Sequence, residues 1–556
     1  MLEFDALVLG AGFGGLYQLK RLRELGLQTV AIEKAPSVGG TWYWNRYPGV
    51  MSDTESYLYR YSWDKEDLQT YPWSHRYVQG HEVLEYLNHI ADKHQLKRDI
   101  HFNTTVKSVK WIAERNKWYI ESDKGIYTVR YFIGAIGLLS VPVFPDIPGR
   151  ENFKGTSVHS SRWPQDLDCS NKRVGIIGSG STGVQIITAL APKVESLTCF
   201  QRNPQYTVPS GDRPVTVEER KWINENYDKI YADMKKSSTC FGFIETDVKY
   251  ASKTPKEREA IFESLWQQGN AFRFMFLSFG DITYSREANE GACNFIRKKI
   301  SQIVKDPVKA RKLQPTQLYA RRPLCDNGYY EQFNRKNVEV VNLQETPIVQ
   351  VTPDGIQTQD GSVHELDIII YATGFDAVEG AYNQIEIIGS RGETLRQRWD
   401  RLGPTSYLGI SVPGFPNFFM VTGPQSPFTN LPPAIEVHVE LITTLIKDSE
   451  ATRLSANPKV VIEALDSAES YWMKKCEAYA ARSLFAETPS WLFGQNVVGK
   501  RPAPRTFLGG MNGYLAEIKK VLQNDYVGYK PIKVKETSKM GLAGRKRAAN
   551  QIKSLI

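Results

Sequence analysis

The sequence lacks closely spaced cysteines. Its six cysteines stand far apart, and no two form a C-x-x-C or similar pair: Cys169, Cys199, Cys240, Cys293, Cys325 and Cys476. This spacing disfavours a zinc site, a redox dithiol and a disulfide framework. We therefore expect no bound metal, and we expect the reducing cytoplasm as the compartment.

Long apolar runs are also missing. No run reaches the roughly 18 residues that a membrane-spanning helix needs. The opening stretch MLEFDALVLG contains two acids and continues directly into a predicted strand, which is not the pattern of a signal peptide. We expect neither a membrane span nor a secretion signal.

The sequence has little net positive charge outside its carboxyl-terminal tail. The formal net charge of the 556 residues is +9, but residues 528–556 hold eight basic residues against one acid, which leaves about +2 elsewhere. A nucleic-acid-binding protein needs its basic residues on a folded face. The composition instead predicts a solvated, partly disordered tail and no nucleic-acid partner.

The length and composition indicate an ordinary globular protein. With 41% hydrophobic and 24% charged residues, a chain of this length is expected to form roughly two to four domains. Motifs rather than composition must therefore indicate what the domains bind.

The first motif is ALVLGAGFGGLYQLKRLRELG, which predicts a strand, a glycine-rich turn and a helix. Gly10, Gly12 and Gly15 have the G-x-G-x-x-G spacing, in which the glycines allow a tight turn, close approach of a diphosphate and close helix packing. We call Gly10–Gly15 the first cradle. The next predicted strand ends at Glu33, a carboxylate suited to accept hydrogen bonds from a ribose diol.

A second strand, turn and helix occurs in VGIIGSGSTGVQIITAL. Gly178, Gly180 and Gly183 repeat the spacing, and Gly178–Gly183 is the second cradle. Its following strand ends at Arg202, at the offset where Glu33 stands in the first unit. A guanidinium can pair with a 2′-phosphate that a carboxylate would repel. We therefore predict FAD in the first cradle and NADPH in the second, although Arg202 could also be an ordinary surface charge.

With these elements in place, the chain resembles the type I Baeyer–Villiger monooxygenases, and among them the cyclohexanone monooxygenases. The fingerprint F-x-G-x-x-x-H-x-x-x-W-P is met by Phe153, Gly155, His159, Trp163 and Pro164. The stretches GGTWYWNRYPGVMSD, YARRPLCDNGYYEQFNR, ATGFDA, PFTNLPP and SWLFGQNVVGK carry the likeness further. It runs from about residue 4 to about residue 530.

The resemblance implies the reaction of a ketone, O2 and NADPH to an ester or lactone through a C4a-peroxyflavin. It implies that Arg322 is the essential arginine that stabilises the developing anion and that Asp53 orients it. Arg321 would join Arg202 on the 2′-phosphate. From the bare sequence, Arg322 could equally form a salt bridge at a domain junction.

Further site residues follow from the same resemblance. His159 would couple the movements of the two cofactor domains rather than act as a base, and Phe153 and Trp163 would anchor this linker by burial. Trp491 lies in a loop that would order over NADP⁺. Core packing is the alternative for the aromatic and apolar members of the remaining candidates. Residues expected at the cofactors are Phe13, Gly40, Thr41, Trp42, Tyr59, Ser181 and Thr182, and those expected in the substrate pocket are Leu138, Phe428 and Leu431.

The motif order predicts an α/β fold with two Rossmann-like domains and a helical insertion. The FAD domain would comprise 1–140 and 373–556, the NADPH domain 148–210 and 323–372, and the insertion 211–322. We expect a monomer whose partners are a small ketone and O2.

Three alternatives remain at this stage. A pyridine-nucleotide–disulfide reductase needs a cysteine pair near the first cradle, whereas the first cysteine is Cys169. An N- or S-oxidising flavin monooxygenase shares both cradles, but its fingerprint usually lacks the tryptophan found at Trp163. A protein that binds NADPH without oxidising it is the third.

Overall fold

The computed structural model describes residues 1–234 and 236–532. Its framework is two β-sheets whose interior strands include parallel pairs. The basic tail, for which the composition predicts disorder, lies outside the described residues beyond Ile532. None of the helices in the described ranges is long and apolar enough to cross a membrane.

The first sheet contains eight strands within the described residues. Leu2–Leu9 is its centre and pairs in parallel with Thr29–Ile32 on one side and with Gly125–Gly134 on the other. Leu7 and Val8 of the central strand are fully buried, as expected for a strand that helices or other layers cover on both faces. In spatial order the strands are Glu386–Ile388, Val106–Ile112, Lys117–Ser122, Gly125–Gly134, Leu2–Leu9, Thr29–Ile32 and Ile100–His101, with Phe418–Met420 also paired to Gly125–Gly134.

The second sheet has five strands in the described part of the chain, and all its pairings are parallel. The run IIIY forms Ile368–Tyr371, an interior strand in which every residue is buried. In spatial order the strands are Thr156–His159, Ile368–Tyr371, Arg173–Ile177, Ser196–Gln201 and Val338–Asn342. The predicted α/β class with two Rossmann-like units is therefore confirmed.

Helices account for most of the chain between the two halves of the second sheet. They are Val217–Met234, Pro255–Gln268, Ala271–Ser278, Arg286–Ile303 and Pro307–Leu313. The predicted helical insertion is thus confirmed as a feature of the fold. The exact domain boundaries stay a prediction. The other α-helices are Phe13–Glu24, Thr41–Trp44, Lys65–Thr70, Gly80–Lys93, Ser181–Leu190, Tyr329–Gln332, Gly380–Asn383, Leu395–Leu402, Leu431–Ser455, Asp466–Ala481 and Gly510–Gln523.

Short strands and 3₁₀ turns complete the structure. A meander joins Ile348–Thr352, Gly355–Thr358 and Val363–Glu365. Two-stranded pairs are Met51–Glu55 with Tyr77–Gln79, Thr207–Pro209 with Leu324–Asp326, and Ser426–Pro427 with Thr506–Phe507. The 3₁₀ turns are Lys97–Asp99, Arg150–Asn152, Ser160–Arg162, Tyr250–Ser252, Leu484–Glu487 and Trp491–Phe493.

Two connections run side by side between the large sheets. Val141–Pro142 leaves the first sheet and pairs antiparallel with Phe375–Asp376, which leaves the second. We call residues 138–144 and 373–379 the crossing segments. Because these segments connect the two sheets, any rotation of one sheet against the other must change their geometry. Their contacts therefore bear directly on the site described below.

Candidate active site

The first cradle is a turn with no room for side chains. Gly10 has a φ of +104°, and a Cβ atom there would lie 2.4 Å from the carbonyl oxygen of Ala135. A Cβ on Gly15 would lie 1.8 Å from the carbonyl oxygen of Gly10. Gly12 and Gly40 face each other, and a Cβ on Gly40 would approach the Cα of Gly12 to 3.0 Å. The two backbones therefore leave a narrow, side-chain-free approach to the following helix.

The helix after the first cradle has an open amino terminus. Phe13–Glu24 begins after Gly12, which supplies no capping side chain, and its first turn contains no acid. The unpaired N–H groups and the partial positive charge of such an end are suited to a diphosphate. The Phe13 ring packs against Tyr59, with 5.4 Å between centroids.

Glu33 closes the first cradle from the end of the neighbouring strand. Its buried carboxylate accepts hydrogen bonds from the N–H groups of Ala11 and Ala35, each at 2.8 Å. Burial raises the pKa of this carboxyl group, while the backbone donors work in the opposite direction. The acid thus lies beside the cradle, where its remaining lone pairs can accept a ribose hydroxyl.

The second cradle repeats these contacts. Gly178 has a φ of +110°, and a Cβ there would lie 2.4 Å from the carbonyl oxygen of Ala372. A Cβ on Gly183 would lie 2.2 Å from the carbonyl oxygen of Gly178, whereas Gly180 has open space around it. The helix Ser181–Leu190 again begins without a capping side chain or an acid, and Ser181 and Thr182 form its first turn.

Arg202 and Arg321 form a pair of cations beside the second cradle. Arg202 follows the strand Ser196–Gln201 and is exposed, whereas Arg321 is partly buried. Burial, followed by the charge of Arg202, lowers the pKa of Arg321 to about 10. Within the described residues neither forms an ion pair, and the Nε of Arg321 has no hydrogen-bond partner. Two adjacent cations without a counter-charge fit a phosphate dianion.

Asp53, which follows the first cradle, and Arg322, at the end of the helical insertion, form an ion pair. Arg322 Nη1 lies 2.6 Å from Asp53 Oδ2, and the Asp53 side chain is 5% exposed against 33% for Arg322. Burial acts to lower the pKa of Arg322, but the charge and hydrogen bond of Asp53 outweigh it and raise the pKa. The guanidinium also lies over the Phe272 ring, 5.3 Å from its centroid. Arg322 therefore stays charged and oriented while part of its fork remains accessible.

Aromatic side chains surround this pair. Thr41 begins the short helix Thr41–Trp44, and Trp42 makes an edge contact with Tyr59 at 5.5 Å between centroids. Burial raises the pKa of Tyr59 to about 12, so its hydroxyl stays protonated at neutral pH. The predicted residues Trp42, Asp53, Tyr59 and Arg322 are thus brought together.

Two residues of this site had no predicted role. Tyr47 donates a hydrogen bond from its hydroxyl to Gln185 Oε1 at 2.9 Å, which joins the motif after the first cradle to the helix of the second. Phe272, under Arg322, comes from the helical insertion. Tyr47 lies in the stretch GGTWYWNRYPGVMSD, which also contains Trp42 and Asp53, so the sequence offered a signal for it. Nothing in the sequence marks Phe272.

His159 lies at the end of its strand against the second crossing segment. Its ring nitrogens lie 3.1 Å from the Gly374 carbonyl oxygen (Nε2) and 3.0 Å from Ser161 Oγ (Nδ1). The backbone N–H of Ser161 donates to Nδ1, so Nε2 carries the proton and donates to Gly374. Burial lowers the pKa of His159 to about 4, so the ring is neutral at ordinary pH.

The rest of the fingerprint anchors this segment. Trp163 is buried and Phe153 is partly buried. A Cβ on Gly155 would lie 2.3 Å from the carbonyl oxygen of Asp367, so only glycine allows this close approach to the second sheet. The stretch is therefore bound to the sheet on one side and to the crossing segments on the other.

The loop that carries Trp491 is attached to the same crossing segment. Asn496 donates its amide to the Phe375 carbonyl at 2.8 Å, and Lys500 pairs with Asp376 and Glu379. Trp491 itself begins a 3₁₀ turn and is partly buried. The loop and residues 373–379 are therefore held together by these polar contacts.

Of the three predicted pocket residues, one lies on a different segment of the chain from the other two. Leu138 lies on the first crossing segment, where its carbonyl accepts from the N–H of Val378 at 2.8 Å. Phe428 packs on Phe485, with 5.9 Å between ring centroids, and Leu431 is exposed at the start of a long helix. The hydrogen bonds and ring contacts of the described residues do not join Leu138 to the other two.

Residues 7–277 match the family model described as pyridine nucleotide-disulphide oxidoreductase. This match covers the dinucleotide-binding motifs. The cysteines, however, are free and buried throughout the described ranges. The part of the chain that the structure describes also holds no group of three or more His, Cys, Asp or Glu side chains placed to bind a metal.

Comparison with known proteins extends over nearly the whole chain. It is 47% identical over 530 residues to cyclohexanone 1,2-monooxygenase from an Acinetobacter species, covering 95% of this chain and 96% of that one. It is also 47% identical over 529 residues to phenazine N-monooxygenase from Lysobacter antibioticus, covering 95% and 97%. The crystal structure of cyclohexanone monooxygenase from Rhodococcus sp. Phi1 bound to NADP⁺ superposes with a TM-score of 0.92, at 48% identity and 95% and 99% coverage.

Proposed function

The chain belongs to the type I Baeyer–Villiger monooxygenases, and from this premise we propose that it converts cyclic and linear aliphatic ketones to lactones and esters. It is an NADPH-dependent flavin monooxygenase with FAD and NADPH as cofactors. The overall reaction is ketone, O2, NADPH and a proton giving ester, NADP⁺ and water.

The observation that carries the proposal is the Asp53–Arg322 pair between two open cradles. Bound FAD, once reduced by NADPH, supplies the activated oxygen. The residues of this chain must then hold negative charge on oxygen as the carbonyl is attacked. A preorganised cation in a site that excludes water does this far better than water would. We assign this role to Arg322, whose planar fork is oriented by its ion pair with Asp53.

The cofactor roles are assigned to residues as follows. The first cradle, with Gly10, Gly12 and Gly15, takes the FAD diphosphate, and Glu33 accepts from the ribose. The second cradle takes NADPH, whose 2′-phosphate binds Arg202 and Arg321. Support comes from the side-chain-free turns, the uncapped helices and the uncompensated cation pair.

We also propose the domain limits that the motif order predicts. The first sheet would carry FAD with residues 1–140 and 373–556, and the second would carry NADPH with 148–210 and 323–372. Residues 211–322 would cover the substrate side, because Phe272 of this segment already contacts Arg322. Trp491 would reach NADP⁺ when its loop closes.

The test is a panel of cyclic and linear ketones with the FAD-loaded enzyme, NADPH and ¹⁸O2. We expect NADPH consumption to depend on the ketone, and we expect the product to have the mass of the ketone plus one labelled oxygen atom. NADPH consumption that yields only hydrogen peroxide for every ketone would contradict the proposal.

N-oxidation is a second candidate, because the relative from Lysobacter antibioticus is a phenazine N-monooxygenase at the same identity. Ketone oxidation comes first because relatives that oxidise cyclic ketones and acetone align over nearly the whole chain. Direct competition between cyclohexanone and phenazine decides between them. A higher kcat/KM for phenazine would reverse the order.

We further propose a monomer that works in the cytoplasm. The support for the compartment is that the cysteines, buried and free in the described residues, form no disulfide. Light scattering of the purified enzyme tests the first statement, and cell fractionation tests the second.

A further inference from the structure

A cavity with a volume of about 300 Å³ lies on the part of the chain that follows the first cradle. Its walls include Tyr59, Tyr71, Trp73 and Tyr86, and exposed Pro72 and Glu85 lie at its mouth. The cavity lining contains neither a cradle glycine nor Arg322. It shares Tyr59 with the residues expected to contact FAD, so it lies beside the proposed FAD site and outside both cradles.

A buried cation forms part of the cavity wall. Arg60 is 5% exposed, and its Nε has no hydrogen-bond partner among the described residues. Its Nη1 reaches only backbone carbonyls, those of Asp67 at 3.3 Å and Tyr71 at 3.4 Å. The guanidinium lies between aromatic rings, 4.8 Å from the Trp73 centroid and 5.3 Å from that of Tyr86.

A second cation, from the helical insertion, packs against two residues of the cavity wall without lining the cavity itself. Arg220 lies over Trp73, 3.2 Å from the ring centroid, and donates to the carbonyl of Tyr71. Burial, followed by the charge of Arg60, lowers the pKa of Arg220 to about 10. Its Nη1 also lacks a partner in the described part of the chain. Isolated buried charges of this kind are costly, and proteins normally pair them.

No carboxylate of the described residues neutralises these two arginines through an ion pair. Glu82 also lines the cavity, but its carboxylate accepts hydrogen bonds from the backbone and hydroxyl of Ser74. Trp73 adds an indole N–H without a partner. The cavity thus combines apolar aromatic walls with the buried cation Arg60, and Arg220 lies against the wall residue Trp73. Each arginine has one nitrogen without a hydrogen-bond partner among the described residues.

We propose that this cavity binds a small organic carboxylate, with the carboxylate against Arg60 and an apolar body between the aromatic walls. The charge of Arg220, packed on the wall residue Trp73, would add to the attraction. The planar fork of arginine matches a carboxylate. A single negative charge suits the cavity better than a phosphate dianion, because Glu82 and Glu85 already limit its positive charge. The volume is at the lower end for small-molecule sites, so the ligand has about the size of benzoate.

Such a ligand would influence the active site through one side chain, that of Tyr59. Tyr59 lines the cavity and also contacts Trp42 and Phe13. Because Arg220 belongs to the insertion helix Val217–Met234, a bound carboxylate would also hold this helix against the FAD side. The proposal does not depend on which substrate the enzyme oxidises.

The experiment is titration calorimetry of the FAD-loaded enzyme with benzoate. Benzamide, which has the same shape without the charge, and inorganic phosphate serve as comparison probes. We expect benzoate to bind more tightly than both. Arg60→Gln should weaken benzoate binding about tenfold or more, since one charge-assisted contact is lost. Arg220→Gln, at a partly exposed position, tests the site should the buried variant not fold.

Lys221→Gln is the matched control, because it removes a neighbouring charge from the exposed face of the same helix. It should leave benzoate binding unchanged. The proposal is overturned if the unmutated enzyme does not bind benzoate, or if phosphate binds more tightly. It is also overturned if Arg220→Gln binds benzoate normally while Arg322→Gln does not, which would place the anion at the ketone site.

Discussion

At the scale of the residue, the proposed role of Arg322 divides the reaction into a part that needs its charge and a part that does not. Asp53 is its carboxylate partner, at 2.6 Å, and Phe272 covers one face of the guanidinium. These contacts restrict the fork to one orientation, so its free donors are placed before negative charge develops. Preorganisation of this kind is the main source of electrostatic rate enhancement.

We therefore expect Arg322→Ala to lose ester formation by about two to three orders of magnitude. Reduction of the bound FAD by NADPH should continue, because hydride transfer needs no anion partner at this position. Anaerobic stopped-flow absorbance measures the reduction, and product analysis in air measures the oxygenation. Arg322→Lys keeps the charge but not the planar fork, so it should restore little. Near-normal lactone formation from cyclohexanone by Arg322→Ala would contradict the mechanism.

Arg202 is the residue that we expect to distinguish NADPH from NADH. It lies near Arg321, and neither cation has an ion-pair partner among the described residues. We expect Arg202→Ala to raise the KM for NADPH about ten- to a hundredfold, as loss of a charge-assisted phosphate contact costs about 1.5–3 kcal/mol. The KM for NADH should change little.

Arg311→Ala, at an exposed arginine on a helix of the insertion, is the control for that change. It should leave the ratio of the two KM values as it is in the unmutated enzyme. Equal affinity of the unmutated enzyme for NADPH and NADH would refute the role of Arg202.

At the scale of the element, the two cradles show which glycines the fold itself requires. Gly183 approaches the Gly178 carbonyl so closely that a Cβ atom would lie 2.2 Å from that oxygen. Gly180 has a φ of −75° and no atom within 4 Å of its Cβ position. Glycine at 180 is therefore not explained by packing within the chain. We attribute it to the diphosphate that we propose to bind above the helix end.

This contrast gives a matched pair of variants. Gly180→Ala should fold normally and keep its FAD, but its KM for NADPH should rise, because the methyl group would occupy the approach of the diphosphate. Gly183→Ala should lower the midpoint of thermal unfolding as well, because the helix can no longer pack on its strand. Scanning calorimetry and flavin absorbance measure these effects. A Gly180→Ala enzyme with unchanged coenzyme kinetics would move NADPH away from this turn.

The cradles were predictable because local sequence determines them. Strand periodicity, glycine spacing and the terminal Glu33 or Arg202 all lie within about 25 residues of each other. The pairing of Val141–Pro142 with Phe375–Asp376 was not predictable, since it joins two-residue strands more than 230 positions apart. Arg322 and Asp53 were proposed only through the family resemblance. Their contact joins positions that are far apart in the sequence, so no local pattern predicts it.

At the scale of the whole molecule, three parts of the chain converge on the crossing segments. The fingerprint contributes His159, which donates to the Gly374 carbonyl. The loop of Trp491 contributes Asn496 and Lys500, which hold Phe375 and Asp376. The second sheet continues directly into the same residues. The segment from 373 to 379 is therefore in contact with the fingerprint stretch and the loop and is continuous with the second sheet, and we expect it to be the route for coordinated movement.

The last prediction follows from the hydrogen bond of His159. Because burial lowers its pKa to about 4, the ring is neutral at working pH and acts there as a donor rather than as a charge. His159→Ala removes the donor and leaves the Gly374 carbonyl without it. We expect flavin reduction and oxygenation to fall together while FAD stays bound, since both need the sheets correctly placed. His159→Gln, whose amide can donate to the same carbonyl, should recover much of both rates.

Stopped-flow reduction, product yield and flavin absorbance, measured on the same preparations, separate a coupling role from a chemical one. A coupling residue changes both half-reactions and is replaceable by another donor. A residue at the reacting centre would leave anaerobic reduction at its full rate and stop only oxygen transfer, and glutamine would not replace it. That second pattern would place His159 in the chemistry and remove the crossing segments from the account of how the two cofactor sites communicate.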